Sequence, residues 1–137
     1  MSIQQECIFC DKNNCQIISS GKNFFIIRDT AYPVTKHHTL IIANRHVSNY
    51  FDLNTEELDN LNQILKKQKK ELLKLDSKIT GFNIGVNIGK DAGQSIMHCH
   101  IHLIPRRKGD VEDPSGGVRG VIPSKQKYKK NKISISE

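Results

Sequence analysis

His98-Cys99-His100-Ile101-His102-Leu103-Ile104 decides how this chain is read. Three histidines alternate with Cys99, Ile101 and Leu103, and Pro105 follows the run. Strict alternation predicts a β-strand, ended by the proline. Successive side chains on a strand point to opposite faces, so the three imidazoles share one face, with neighbours roughly 6.5–7 Å apart. The other face is apolar and is expected in a core. A single strand histidine is usually a satisfied structural residue. This face holds three of the chain's six. It would be wet and titratable, which points to chemistry or metal binding.

Working outward, Gly89 to Ser95 reads as a polar turn, and Phe82-Asn83-Ile84-Gly85-Val86-Asn87-Ile88 alternates before it. Two strands joined this way form an antiparallel pair and bring Asn87 and Ser95 close to the imidazoles. Upstream, Asn54 can cap a helix, with Glu57 as capping-box partner. Leu58, Leu61, Leu65, Leu72 and Leu75 follow helical spacing, and Ile64 widens the stripe. Lys66, Lys67, Lys69, Lys70 and Lys74 fill a solvated side, and Gly81 is the expected terminator. Thr39-Leu40-Ile41-Ile42-Ala43 has the length of a strand, with His38 at its entry and His46 beyond its exit. Cys15 to Ser19 and Phe24 to Arg28 read as a hairpin around Ser20-Gly21-Lys22-Asn23. Cys7-Ile8-Phe9-Cys10 spaces its thiols as a zinc half-site does. A redox role for the pair would need a βαβ context that the following residues lack. Cys15 reads as a buried thiol rather than a ligand. The segment after Pro105 is rich in Gly, Pro and charge and is expected to be irregular.

The chain has 137 residues, enough for one domain with its own core. No run approaches the ~18–20 apolar residues of a membrane span. The first residues lack the basic and apolar regions of a signal peptide. A cytoplasmic protein with reduced thiols is expected, its four cysteines serving as ligands or buried thiols. A net charge of +7 suggests an anionic partner. Much of it lies in Lys125, Lys127, Lys129, Lys130 and Lys132, which read as a solvated basic tail over residues 124–137 rather than a nucleic-acid site.

At these residues the chain resembles the histidine triad (HIT) family of nucleotide hydrolases and transferases. The family signature is H-φ-H-φ-H-φ-φ, with φ apolar, and His98 to Ile104 matches it throughout. His38 before an apolar strand, Asn87, and Gly93-Gln94-Ser95 resemble further family features. The resemblance covers roughly residues 5–123, taken as a single HIT domain over 1–123. It departs at His37, where many members have Gly, and in the loop from Asp29 to Pro33, which is about a residue longer. The resemblance implies an α+β fold with a five-stranded antiparallel sheet and one main helix. It further implies a homodimer with a continuous ten-stranded sheet.

The resemblance makes His100 the nucleophile that forms a covalent nucleotidyl intermediate. His102 becomes the donor to the leaving oxygen or a phosphate-binding group, and His38 an orienting residue. Asp29, Asn87, Gly93, Gln94 and Ser95, with His100 and His102, become the nucleotide contacts. No catalytic metal is required. Cys7, Cys10, His46 and His98 make a set of two cysteines and two histidines, on which related uridylyltransferases and some bacterial triad proteins place structural zinc. Two buried thiols, a surface His46 and a hydrogen-bonding His98 are the alternative. Pro105-Arg106-Arg107-Lys108-Gly109-Asp110 resembles the branch that cleaves dinucleoside polyphosphates. Arg106 and Arg107 would then meet extra phosphates, or else solvate a loop. Gly116 to Pro123 resembles a tail of bacterial members. A nucleoside phosphoramidase and a non-enzymatic AMP-binding regulator are the other readings of the same residues.

Overall fold

The computed structural model describes residues 7–128. Lys129, Lys130 and Lys132 of the basic tail lie outside them. The chain forms two compact units, 1–107 and 108–137. The first carries strands β1 (Ile17–Ser20), β2 (Phe24–Arg28) and β3 (Thr39–Ala43), helix α1 (Thr55–Leu75), then β4 (Ile79–Gly85) and β5 (His100–Arg107). The strands form one antiparallel sheet in the order β1-β2-β3-β5-β4. This is the α+β architecture expected.

β3 is rich in β-branched residues (Thr39, Ile41 and Ile42), and all five residues of the strand are buried. Leu40 lies opposite His102 and Ile42 opposite His100, so these four share a face. Ile41 opposes Ile101 on the other face. There Ile41, Ala43, Cys99 and Ile101 pack with Phe24, Ile26, Leu53 and Leu61, backed by Leu58, Ile64 and Leu65. The stripe of α1 thus covers the cysteine-and-leucine side of the triad strand, while Phe9, Phe25, Leu40 and Ile42 cluster on the histidine side. Leu75, spaced as part of the stripe, ends the helix 59% exposed.

Asn54 and Glu57 form the capping box that the sequence predicts. The helix stops well before Gly81. Asp76 caps it, donating its N–H to the Leu72 carbonyl, and Gly81 lies in β4 beside a register shift. β4 begins earlier and ends at Gly85, so Val86, Asn87 and Ile88 leave the sheet. Pro105 does not end β5, which runs on to Arg107. The β3 ladder reaches only Leu103, and the Pro105 carbonyl accepts the Thr35 hydroxyl at 2.6 Å. A proline there removes no ladder bond. At the other end His98 precedes the strand instead of starting it.

The second unit is irregular as expected, with 3-10 turns at Gly117–Val121 and Pro123–Lys125. Gly116 has φ 86°, and a Cβ there would clash with the Gln126 carbonyl oxygen. No helix among the described residues is long and apolar enough to cross a membrane.

Candidate functional site

The triad face is organised by hydrogen bonds that fix where each imidazole proton sits. His100 Nδ1–H donates to the His98 carbonyl at 2.8 Å. Its Nε2 therefore carries a lone pair. The Val34 N–H can only donate, and it meets His38 Nδ1 at 3.0 Å. His38 must then hold its proton on Nε2, which lies 2.9 Å from His102 Nδ1. That nitrogen accepts, and the His102 proton is left on Nε2. Each ring's outer nitrogen is set by the bond that its other nitrogen makes.

Burial holds the His100, His102 and His38 rings below the ordinary histidine value. His102 is lowered to about 4, by burial and then by the neighbouring His100 and His38 rings. The site is thus a set of neutral imidazoles near neutral pH, one offering a lone pair and one an N–H. The His100 and His102 centroids are 5.3 Å apart with 63° between planes. This tilt brings them closer than the backbone repeat alone would.

Asp29 Oδ1 accepts the N–H groups of Ala31 and Tyr32 at 3.2 and 3.0 Å, folding the loop that carries Val34. Its Oδ2 lies 3.8 Å from His38 Nδ1. Gly93, Ser95 and Asn87 are exposed, the glycine with φ 94°. Gln94 turns inward and is 4% exposed. Its amide accepts from Gly89 N–H and donates to the Ser48 and Ile96 carbonyls, so its side chain bolts the loop together. Arg106 and Arg107 are strand residues, not loop residues. Arg106 donates to Asn83 at 2.7 Å. Arg107 pairs with Asp76 at 3.0 Å and donates to the Lys36 carbonyl at 2.9 Å.

Behind the triad, one ligand atom each from Cys7, Cys10, His46 and His98 lies within 4.8 Å of all the others. His98 Nε2–H donates to the Ala43 carbonyl at 2.7 Å, which leaves Nδ1 as a lone pair. That lone pair faces His46 Nδ1 at 3.1 Å and the Cys7 and Cys10 sulfurs at 3.4 and 3.5 Å. Cys10 Sγ lies 3.0 Å from His46 Nδ1. Tetrahedral zinc separates its nitrogen ligands by about 3.3 Å and nitrogen from sulfur by about 3.6 Å. The donor set and spacing fit such an ion. Cys15 stands apart, directed at the Ile8 and Asp11 carbonyls, its thiol raised by burial. Burial pushes Cys99 up to about 12, an inert core thiol.

Phe9 and the Val34 N–H reach the triad face without any role that the sequence predicts. Phe9 had a visible signal, an apolar residue enclosed by two ligand-type cysteines. A backbone N–H has none.

Residues 11–109 match the family model described as the HIT domain. An uncharacterized HIT-like protein of Methanocaldococcus jannaschii is 34% identical over 110 residues, covering 77% of this chain and 83% of the relative. The asymmetrical bis(5'-nucleosyl)-tetraphosphatase of Schizosaccharomyces pombe is 37% identical over 81 residues, covering 59% of this chain and 44% of the relative. A crystal structure of a Zn-bound histidine triad family protein from Mycobacterium smegmatis superposes with TM-score 0.69 at 29% identity, covering 79% of this chain and 80% of that one.

Proposed function

The chain belongs to the histidine triad family, and on that premise we propose a nucleotide hydrolase or nucleotidyl transferase acting at the α-phosphate of adenine nucleotides, with diadenosine polyphosphates as the substrate class. One observation carries the reading: the His98 carbonyl holds the His100 Nδ1–H, leaving Nε2 as a nucleophile. Nε2 attacks the α-phosphorus, a P–N bond forms and the P–O bond to the leaving phosphate breaks. The positive charge that develops on the ring is met by the His98 carbonyl. The leaving oxygen takes a hydrogen bond from His102 Nε2–H, held in register by His38. A polyphosphate departs as an anion, so that hydrogen bond suffices without full proton transfer. Water, which gives up its proton to solvent, or inorganic phosphate then attacks phosphorus, the P–N bond breaks and the His100 lone pair returns. Exposed Asn87, Gly93 and Ser95 are assigned to the nucleotide, and Asp29 to the ribose. Gln94 acts through the loop that it bolts.

The set of two cysteines and two histidines is assigned a structural zinc. The similarity to a Zn-bound family structure supports this. Bound there, zinc would fix Cys7 and Cys10 to His46 and His98 and leave the triad chemistry metal-free. The outer edge of β4, where Ile84 is 53% exposed, is assigned to a homodimer seam.

The test is a panel of diadenosine tri- and tetraphosphate, adenosine phosphoramidate and nucleoside monophosphates, with and without inorganic phosphate. The expected product from the dinucleotides is AMP in water, and His100→Asn should lose at least about 10²–10⁴-fold in turnover. Release of AMP mainly from the phosphoramidate would make the protein a phosphoramidase, and release of ADP in place of AMP when phosphate is added would make it a phosphorylase. Equal turnover by His100→Asn and wild type would eliminate the covalent route.

A further inference from the structure

The reaction proposed above gives Phe9 no task, yet its placement is specific. Between Cys7 and Cys10 the chain turns tightly, the Cys10 and Asp11 N–H groups reaching the Cys7 carbonyl at 3.1 and 3.4 Å. The turn drives Phe9 inward, where it is 4% exposed and clusters with Phe25, Leu40 and Ile42 on the histidine side of the sheet. Its ring meets His100 with centroids 5.1 Å apart and 66° between planes. It also meets His98 at 6.0 Å and 83°. A single hydrogen bond, from His100 Nδ1 to the His98 carbonyl, fixes the imidazole at one point, so a pivot about that bond is opposed only by the rings packed on it, His102 and Phe9. An aromatic ring set edge-to-face against it opposes the pivot. The two cysteines that make the turn are also members of the metal-type set.

We propose that Phe9 is a positioning residue for His100, and that an ion held by Cys7, Cys10, His46 and His98 acts on the nucleophile by clamping the turn that carries this ring. The inference rests on His100 being the nucleophile of the proposed reaction. Phe9 touches the nucleophile rather than the substrate. Its loss therefore loosens the attack geometry and leaves substrate binding in place.

The experiment compares wild type with Phe9→Leu, which keeps apolar bulk without a ring, and Phe9→Tyr, which keeps the ring. Each is the full metal-loaded chain. Metal content, thermal melting, nitrogen NMR of the imidazoles and steady-state kinetics are measured. Phe9→Leu should keep its metal and KM while kcat falls by about 10–100-fold, as a misplaced nucleophile predicts. Its His100 nitrogen signals should broaden or shift toward mixed tautomers, and Phe9→Tyr should restore both. Chelation of wild type should reproduce the same change in the His100 signals. Unchanged His100 signals in Phe9→Leu overturn the proposal, as does a rise in KM at constant kcat, which would make Phe9 a substrate contact. If Phe9→Leu loses its metal, Phe9→Met is read in the same way. Loss of metal in both overturns the idea, because Phe9 would then serve the metal site alone. Should wild type turn over no nucleotide, the proposed reaction fails, and the His100 spectra still decide what Phe9 does.

Discussion

His37 has φ 72°, the one non-glycine residue with positive φ among those described. In the family that the sequence resembles, many members carry Gly there, and the left-handed backbone gives the physical reason. The conformation is braced by Thr39, whose hydroxyl donates to the His37 carbonyl at 2.8 Å and accepts from Arg28 at 2.9 Å. It also delivers His38 to the triad. His37→Gly is expected to stabilise the fold by up to about 1 kcal/mol, and His37→Val to destabilise it by about 1–2 kcal/mol. Chemical denaturation of the two variants checks this, and the opposite order would refute it. His102 and His38 carry a pH dependence. In the unfolded chain their rings take up protons near about 6.5, whereas native His102 resists until about 4 and native His38 is lowered in the same direction. Between those values the unfolded state binds more protons, so stability is full above the upper one and falls as pH falls toward the lower. Thermal melts from pH 7 to 4.5 should show this loss, with a shallower slope in His102→Gln. Equal slopes would show that other groups govern acid stability.

At the scale of elements, the N-terminus of α1 shows how a local motif acquires a tertiary partner. The spacing of Asn54 and Glu57 announces a capping box. It does not announce that Glu57 is 1% exposed, nor that Arg45 reaches its carboxylate in a fork at 2.7 and 3.0 Å. The Arg45 hydrogen bonds hold the Glu57 carboxyl below its ordinary range. Asn54→Ala should cost about 1 kcal/mol through the cap alone. Arg45→Met should cost more, about 2–3 kcal/mol, by leaving a buried carboxylate with only its backbone donor. Denaturant melts rank the two, and a smaller loss in Arg45→Met would mean that solvent replaces the arginine. The boundaries of β4 and β5 differ from those that local preference predicts for a related reason. Gly81 and Pro105 are breakers by local preference, but a register shift absorbs the first and the edge of the β3 ladder tolerates the second.

At the scale of the molecule, the metal-type set joins segments far apart in sequence, since Cys7 and His98 stand 91 residues apart. Ligands that meet only in the folded state turn metal affinity into folding energy. Zinc analysis of protein purified without chelators should give about one equivalent per chain, and chelation should lower the melting temperature markedly. Less than about half an equivalent, or a melting point indifferent to chelator, would count against a structural ion there.

The sequence alone determined the triad strand, its two faces, the capped amphipathic helix and the Cys7–Cys10 half-site. These are patterns of short range, legible because strand and helix periods map neighbours in sequence onto faces in space. Only the tertiary structure decided the tautomers, the aim of Phe9, the inward turn of Gln94 and the arginine pairing of Glu57. The His102 tautomer, Phe9, Gln94 and Glu57 depend on partners from other segments, and the His100 tautomer depends on which backbone carbonyl the fold brings to it; such backbone groups are present at nearly every residue until folding selects one.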